Sequence, residues 1–316
     1  MQVTYLVKRL NPERERSPRF EQFSLEVGEY DSVLDGLIKV REELDGSLAL
    51  RCSCRAAICG SCAMRVNGEP RLMCKTRVRD VAEDGQVKVE PIGNLPVLKD
   101  LVVDMGPFWE KVRAVKPWLE PPPEKPEREY LAPNEAMREV VGALACVMCG
   151  ACVSNCTVWE VDPNFLGPAA LAKAHRFVAD PRNSDNAERL KQLGEYTGIW
   201  DCTHCFYCVQ ACPKDVAPME RILALRREAI AHGYTNHNGV RHSDSFAQSV
   251  KQSGSLNEGR LAVESQGYLN LPALLGLLPV GLRALRAGKM PSPFHHKRPG
   301  AAHVKRIFEK VEGPRS

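Results

Sequence analysis

The stretch Cys202-Thr-His-Cys205-Phe-Tyr-Cys208-Val-Gln-Ala-Cys212-Pro213 leaves a folding chain few options. Its spacing, C-x2-C-x2-C-x3-C-P, is that of the bacterial ferredoxin run, in which three cysteines bind one iron–sulfur cluster and the fourth serves another. A fourth ligand of that kind requires a second run, and one is present: Cys146-Val-Met-Cys149-Gly-Ala-Cys152-Val-Ser-Asn-Cys156. Reciprocal sharing assigns Cys146, Cys149, Cys152 and Cys212 to one [4Fe–4S] cluster, and Cys202, Cys205, Cys208 and Cys156 to a second. Two distant segments must therefore fold against each other around metal centres, which points to electron transfer.

A third motif lies upstream. Cys54-Arg-Ala-Ala-Ile-Cys59-Gly-Ser-Cys62, followed by Cys74, has the plant-type C-x4-C-x2-C…C spacing of a [2Fe–2S] cluster. Between Cys62 and Cys74, the order Ala63–Val66, Asn67-Gly68, Arg71–Cys74 predicts a hairpin, because Asn-Gly favours the primed turns that hairpins use. The turn returns the fourth thiolate to the other three. Soft thiolates suit iron in such clusters, and the small neighbours Gly60, Ser61 and Ala63 let backbone amides approach the sulfurs. Arg51, Arg55, Arg65, Arg71, Lys75, Arg77 and Arg79 surround the motif. They either favour the more negative, reduced cluster or form a solvated basic face.

Cys52, the thirteenth of 13 cysteines, fits none of the three spacings and reads as a bystander thiol. Zinc also uses paired C-x2-C, but two complete four-cysteine runs beside a plant-type motif select iron–sulfur clusters. His204, between two ligands, is either a hydrogen-bond donor to cluster sulfur or a surface loop residue. His175, on a helix, reads as packing.

A length of 316 residues suggests about two domains of the usual ~100–200 residues. The odd, tightly clustered cysteine count and the lack of a secretory signal at Met1-Gln-Val-Thr-Tyr favour metal-bound thiolates in a reducing cytoplasm over disulfides. A net charge of +4 is too mild to indicate a nucleic-acid partner. No stretch reaches the ~18 apolar residues of a membrane span. Neither a G-x-G-x-x-G loop nor a base–nucleophile constellation occurs, so substrate chemistry belongs to a partner.

The chain reads as α+β. Residues 1–103 form a β-rich domain, with strands at Val3–Val7 and Phe20–Gly28 and a helix from Ser32 burying Val33, Leu34, Leu37, Ile38 and Val40. Residues 104–132 form a connector, proline-dense at Pro117–Pro126, with Trp109 and Trp118 as apolar anchors. Residues 133–235 form a helical two-cluster domain, with helices at Asn134–Leu144, Leu166–Asp180 and Met219–Ile230. Residues 236–316 are an extension. Its apolar stretch Leu271–Leu282, followed by Arg283, Arg286 and Lys289, is either an interfacial or partner-docking helix or a piece of core. The tail from His295 onward is basic.

One plant-type motif followed by two bacterial-type runs resembles the iron–sulfur subunit of succinate dehydrogenase and fumarate reductase. The resemblance covers residues 1–235 and extends to Cys59-Gly-Ser-Cys62-Ala-Met and to Asn164-Phe-Leu-Gly-Pro-Ala-Ala-Leu…His175-Arg-Phe. It implies a β-grasp [2Fe–2S] ferredoxin domain followed by an α-helical ferredoxin domain. It also implies electron relay between an FAD-containing flavoprotein, where succinate and fumarate interconvert, and a membrane quinone. Cys54, Cys59, Cys62 and Cys74 would hold [2Fe–2S], and Cys146, Cys149, Cys152 and Cys212 the central [4Fe–4S]. Common members lack a cysteine matching Cys205 and hold [3Fe–4S] there; here the position is filled, which implies a second [4Fe–4S]. Thr203 stands where many members have a quinone-site histidine, and where members often have proline and then tryptophans that help form a quinone pocket, Cys156 is followed by Thr-Val-Trp159, of which only Trp159 is suggestive. The pattern is closer to the variant subgroup that pairs with a cysteine-rich subunit resembling heterodisulfide reductase, so the resemblance implies either a membrane-anchor subunit or such a cysteine-rich subunit as the membrane-side partner. The implied location is the cytoplasmic face of the inner membrane. Competing readings are an iron–sulfur subunit of a heterodisulfide-reductase-like or glycolate-oxidase-like complex, and a standalone redox sensor, which would need only one cluster.

Overall fold

Alternation builds the first sheet. Five strands, β1 (Gln2–Arg9), β2 (Arg19–Glu26), β3 (Ala63–Val66), β4 (Glu69–Leu72) and β5 (Gln86–Glu90), stand in the order β2-β1-β5-β3-β4. Along β1, Val3, Tyr5 and Val7 are buried and the residues between them are partly exposed, the period of two that a one-sided sheet demands. β1 pairs with β2 without a slip, from Gln2 opposite Glu26 to Arg9 opposite Arg19. All pairings are antiparallel except β1–β5. A parallel pair needs a crossover, and the crossover here carries α1 (Val33–Lys39). Ser32 and Asp35 close a capping box at its start, and Val33, Leu34, Leu37 and Ile38 are buried. Asn67 (φ 49°) and Gly68 (φ 86°) form the β3–β4 turn with both residues left-handed, as the hairpin prediction requires. The structure, a computed structural model, describes residues 1–184, 186–292 and 295–313.

After α2 (Val78–Val81) and the short antiparallel pair β6 (Val97–Lys99) and β7 (Val102–Val103), the chain enters α3 (Gly106–Ala114). This helix lies inside the stretch read above as connector. Pro107 falls in its first turn, where a missing N–H costs nothing, and Phe108 and Val112 are buried. The connector beyond is held differently from the expectation. Trp109 and Trp118 are 39% and 51% exposed, so neither is a buried apolar anchor. Proline-rich extended backbone leaves carbonyls without ladder partners, and a guanidinium supplies the donors. Buried Arg189 donates to the carbonyls of Val115 (3.2 Å), Lys116 (2.5 Å) and Trp118 (3.1 Å). Ser184 Oγ donates to the carbonyl of Glu120 at 2.9 Å.

The helical part comprises α4 (Asn134–Leu144), α5 (Ala151–Ser154), α6 (Thr157–Val161), α7 (Gly167–Val178), α8 (Asn186–Leu193), α9 (Tyr207–Gln210) and α10 (Pro218–Ala231). Most of α7 is buried, including Ala169, Ala170, Leu171, Ala174 and His175, so α7 is the element the others pack around. Residues 1–228 form one compact unit, and the chain from Ala229 forms a second. In the second, α11 (Asn238–Ser253) packs against α12 (Glu258–Gln266) and α15 (Ala301–Glu312). Between these lie α13 (Leu271–Gly276) and α14 (Leu278–Arg286). The apolar stretch there is not core: Leu271, Leu275, Leu278, Val280 and Leu282 are each more than half exposed. Among the described residues, no helix is long and apolar enough to cross a membrane.

Candidate iron–sulfur cluster sites

The loop from Cys54 to Cys62 is shaped by backbone that turns its amides inward. Arg55 (φ 53°), Ala57 (φ 56°) and Gly60 (φ 74°) are all left-handed, a conformation that costs non-glycine residues energy and clusters at functional sites. The consequence is a ring of N–H···S hydrogen bonds. Cys54 Sγ accepts from the amides of Ala56, Ile58 and Cys59 at 3.3–3.4 Å, and Cys74 Sγ accepts from that of Ala57 at 3.3 Å. Ser61 Oγ donates to Cys59 Sγ at 3.2 Å. That hydroxyl, then the Cys54 and Ser61 amides, lower the Cys59 thiol to about 6. Cys62 lies at the buried end, and burial pushes it up to about 12. The β3–β4 hairpin brings Cys74 back to this group, since the Met73 amide bonds to the Cys62 carbonyl at 3.1 Å.

The two later runs share one backbone pattern. Met148 (φ 54°) and Gly150 (φ 82°) are left-handed in the first, His204 (φ 58°) and Phe206 (φ 63°) at the same offsets in the second. Each left-handed pair opens a four-residue helix, α5 after Gly150 and α9 after Phe206. At the far ends, Cys156 Sγ accepts from the amide of Trp159 and Cys212 Sγ from that of Val216, both at 3.4 Å. A C-x2-C-x2-C loop that wraps a body wider than one ion has to reverse direction between ligands, and these residues do so.

Cys146, Cys149, Cys152 and Cys212 line one cavity, closed by Ala169 and Ala172 of α7 and by Val216 and Pro218. The fourth member comes from the other run, as reciprocal sharing predicts. Burial dominates the chemistry: it pushes Cys149 up to about 11 and raises Cys152 well above the usual thiol range, with the neighbouring thiols adding to each shift. Cys156, Cys202, Cys205 and Cys208 form the second group. Burial, then Cys202, Cys156 and Cys205, push Cys208 up to about 12, and burial raises Cys156 and Cys202. Thr157 Oγ1 donates to Cys205 Sγ at 3.7 Å. Thiols that resist ionisation in such surroundings become thiolates only by exchanging the proton for a metal cation, so loading releases protons. Among the described residues no three His, Cys, Asp or Glu groups could hold a single metal ion. Ligands of a cluster bind different irons and need not converge on one point. The donor set, the inward amides and the shared cavity fit iron–sulfur clusters.

The groups adjoin in series. Cys59, Gly60 and Ser61 share a pocket with Cys146, Met148 and Cys149. Gly60 is pressed against the second loop: a Cβ there would lie 2.8 Å from the Val147 carbonyl oxygen and 2.9 Å from Cys149 Cβ. Cys152 of the central group in turn senses Cys208 of the last. The junction between the sheet and helical parts is tied by Asn94, whose Nδ2 donates to the carbonyls of Val153 and Cys156, both at 2.9 Å. The Gly93 amide donates to Ser154 Oγ at 2.8 Å.

Several residues left open by sequence take definite places. The His204 imidazole meets the guanidinium of Arg226, while its backbone amide bonds to the Cys202 thiol. Arg226 is buried, and donates to the carbonyls of Ile199 (2.8 Å) and Cys202 (2.9 Å). Trp159 is 4% exposed and packs on Gly167 so closely that a Cβ there would lie 2.4 Å from the indole. His175 is buried with Nδ1 unpartnered, and burial, then Arg221 and Arg227, depress it to about 4. Among the basic residues around the first loop, Arg51, Arg55, Arg71, Lys75, Arg77 and Arg79 are exposed. Cys52 joins none of the three groups and is partly exposed. Gly60, Asn94 and Arg226 were not singled out as contact points by sequence. A Gly inside a ligand loop was the one visible signal; the partners of Asn94 and Arg226 are distant in the chain.

Comparison with known proteins follows the same division. A family model described as a 2Fe-2S iron-sulfur cluster binding domain matches residues 4–110, and one described as a 4Fe-4S dicluster domain matches residues 142–216. The chain is 41% identical over 231 residues to the fumarate reductase iron-sulfur subunit of Mycobacterium tuberculosis, covering 72% of this chain and 92% of that one. It is 34% identical over 269 residues to the 8-methylmenaquinol:fumarate reductase iron-sulfur subunit of Wolinella succinogenes, covering 83% of each. It is 33% identical over 231 residues to the succinate dehydrogenase iron-sulfur subunit of Coxiella burnetii, covering 72% and 97%. A chain in the solved Mycobacterium smegmatis Sdh1 complex in the apo form superimposes with a TM-score of 0.68 at 26% identity, covering 74% of this chain and 97% of that one.

Proposed function

The chain belongs to the iron–sulfur subunits of succinate dehydrogenases and fumarate reductases, and from that premise we propose that it is the electron relay between a flavoprotein and a membrane-side acceptor. FAD and the interconversion of succinate and fumarate belong to the partner flavoprotein. Residues 1–103 are the β-grasp [2Fe–2S] module, 104–132 the connector, 133–235 the two-cluster module and 236–316 an extension. Cys54, Cys59, Cys62 and Cys74 hold [2Fe–2S]; Cys146, Cys149, Cys152 and Cys212 hold the central [4Fe–4S]; Cys156, Cys202, Cys205 and Cys208 hold the last. Bound there, the clusters supply one-electron redox chemistry that no side chain of this protein offers. The residues contribute the rest. They bury the central thiols from water, aim amides at the outer ones, and hold successive groups against each other at Gly60–Cys149 and at Cys152 and Cys208.

The observation that carries the reading is the single cavity lined by Cys146, Cys149, Cys152 and Cys212, three from one run and one from the other. Cys205 supplies a fourth thiolate to the last group, so a second [4Fe–4S] is expected there in place of [3Fe–4S]. Thr203 and the buried Trp159 leave the usual quinone pocket without its side chains. These features support an acceptor-side partner resembling the cysteine-rich heterodisulfide reductase subunit, on the cytoplasmic face of the membrane.

The test is iron content with paramagnetic resonance on anaerobically purified protein. Clusters of two, four and four irons sum to about ten per chain, without the signal of an oxidised three-iron centre. Cys205→Ser should lower that count and produce the three-iron signal. About nine irons and a strong three-iron signal in wild type would exclude Cys205 as a ligand. Succinate oxidation by the chain without a flavoprotein would refute the relay role.

A further inference from the structure

Leu271, Leu275, Leu278, Leu282 and Leu285 follow one another at spacings of four, three, four and three. At about 100° per residue they fall within an arc of roughly 80° on a helix. Leu277, which joins α13 to α14, is itself right-handed helical (φ −75°, ψ −20°), and its carbonyl accepts from the Gly281 amide at 2.8 Å. Pro272 and Pro279 sit in first turns, where they break no hydrogen bond. All five leucines are more than half exposed. A soluble protein has no reason to set five leucines on one stripe and leave them in water.

Charge selects the occupant. From Ser265 to Phe308 the chain contains Lys and Arg but no Asp or Glu. Arg283, Arg286 and Lys289 flank or follow the leucines and are exposed. A partner helix seated on such a stripe would be registered by flanking charges of both signs; here the flanks are of one sign. We propose that α13–α14 lies in the plane of an anionic lipid bilayer. The leucines face the acyl boundary, and Arg283, Arg286 and Lys289 reach the headgroup phosphates. The pair spans about 24 Å at 1.5 Å per residue and is punctuated by prolines, too short to cross a hydrocarbon core of about 30 Å. An exposed apolar stripe ending in a basic cluster is suited to lie at an anionic interface, with the cluster at the headgroups. The proposal rests on the exposure and charge of this segment and stands apart from the redox assignment.

The full-length, cluster-loaded chain is mixed with vesicles of phosphatidylcholine alone, or of phosphatidylcholine with phosphatidylglycerol, and floated on a density gradient. Wild type should float with the anionic vesicles and remain behind with the neutral ones. Arg283→Gln with Arg286→Gln should weaken anionic-vesicle binding about thirtyfold, each basic group near the headgroups being worth about fivefold. Leu278→Ser with Leu282→Ser should abolish flotation, with the visible cluster spectrum unchanged because both positions are exposed. Leu278→Gln with Leu282→Gln keeps better helix propensity and should behave alike. Equal flotation with both vesicle types, flotation with neither, or leucine variants that float like wild type would each overturn the proposal. So would leucine variants that keep vesicle binding while losing a co-purifying protein chain, since the stripe would then belong to that partner.

Discussion

Gly60 offers a direct test of whether the first cysteine loop is seated on the second. It is left-handed at φ 74°, and an added Cβ would lie 2.8 Å from the Val147 oxygen and 2.9 Å from Cys149 Cβ. In Gly60→Ala the left-handed conformation costs about 1–2 kcal/mol. Forcing a methyl into packed backbone costs about 1–3 kcal/mol more. Gly68 is the internal control: it is also left-handed, at φ 86°, but nothing lies within 4 Å of its would-be Cβ. Gly68→Ala therefore incurs only the conformational part, about 1–2 kcal/mol. The difference of about 1–3 kcal/mol belongs to the junction. For a body of this size each kcal/mol moves Tm by roughly 2–4 °C, so Gly60→Ala should melt roughly 2–12 °C below Gly68→Ala. Loss of visible cluster absorption on heating at one fixed rate reads the difference. Equal melting of the two variants would mean that Gly60 is not pressed against Cys149, and the series order of the clusters would lose its structural basis.

Two further outcomes are expected. His175 has a folded value of about 4 against a usual 6.5, so below pH 6.5 the unfolded chain binds the proton that the folded one refuses. Stability is then full above pH 6.5 and falls as pH drops through 4, by about 2 kcal/mol at pH 5. In urea melts at pH 7 and pH 5, His175→Leu should lose that much less on acidification, and an unchanged difference would show that His175 does not titrate this way. Arg189→Ala removes the donors to three connector carbonyls and should cost at least about 4 kcal/mol, since hydrogen bonds from charged groups contribute about 1.5–3 kcal/mol each. Limited proteolysis should then cut within residues 115–131 faster than in wild type; an unaltered cleavage rate would refute the tether.

Proton release links the electrostatics of the thiols to assembly. Cys149, Cys152, Cys62 and Cys208 are held protonated by burial in the absence of a cation, whereas Cys59 is already lowered by its Ser61 hydrogen bond. The ligands of one chain, and of one loop, therefore differ in how readily they offer a thiolate, and exposed Cys59 is a readier donor than buried Cys62.

The cysteine spacings by themselves suggested three candidate ligand groups, because within each run the geometry is local to a few residues. They also led to the expectation that Cys212 crosses to the first run, and the structure lines one cavity with Cys146, Cys149, Cys152 and Cys212. Periodicity located the strand at Val3–Val7, the turn at Asn67-Gly68 and the helix at Asn134–Leu144, where local pattern and burial coincide. What spacing could not carry was every contact between residues remote in the chain. Gly60 against Cys149, Asn94 across to Val153 and Cys156, and Arg189 under the connector depend on how whole elements pack. The same holds for ambiguous side chains. Packing buried Trp159 against Gly167, turned His204 to Arg226, and left the leucine stripe of α13–α14 in the open. A pattern of apolar residues states that a face must be covered; only the arrangement of the remaining chain decides whether the chain itself covers it.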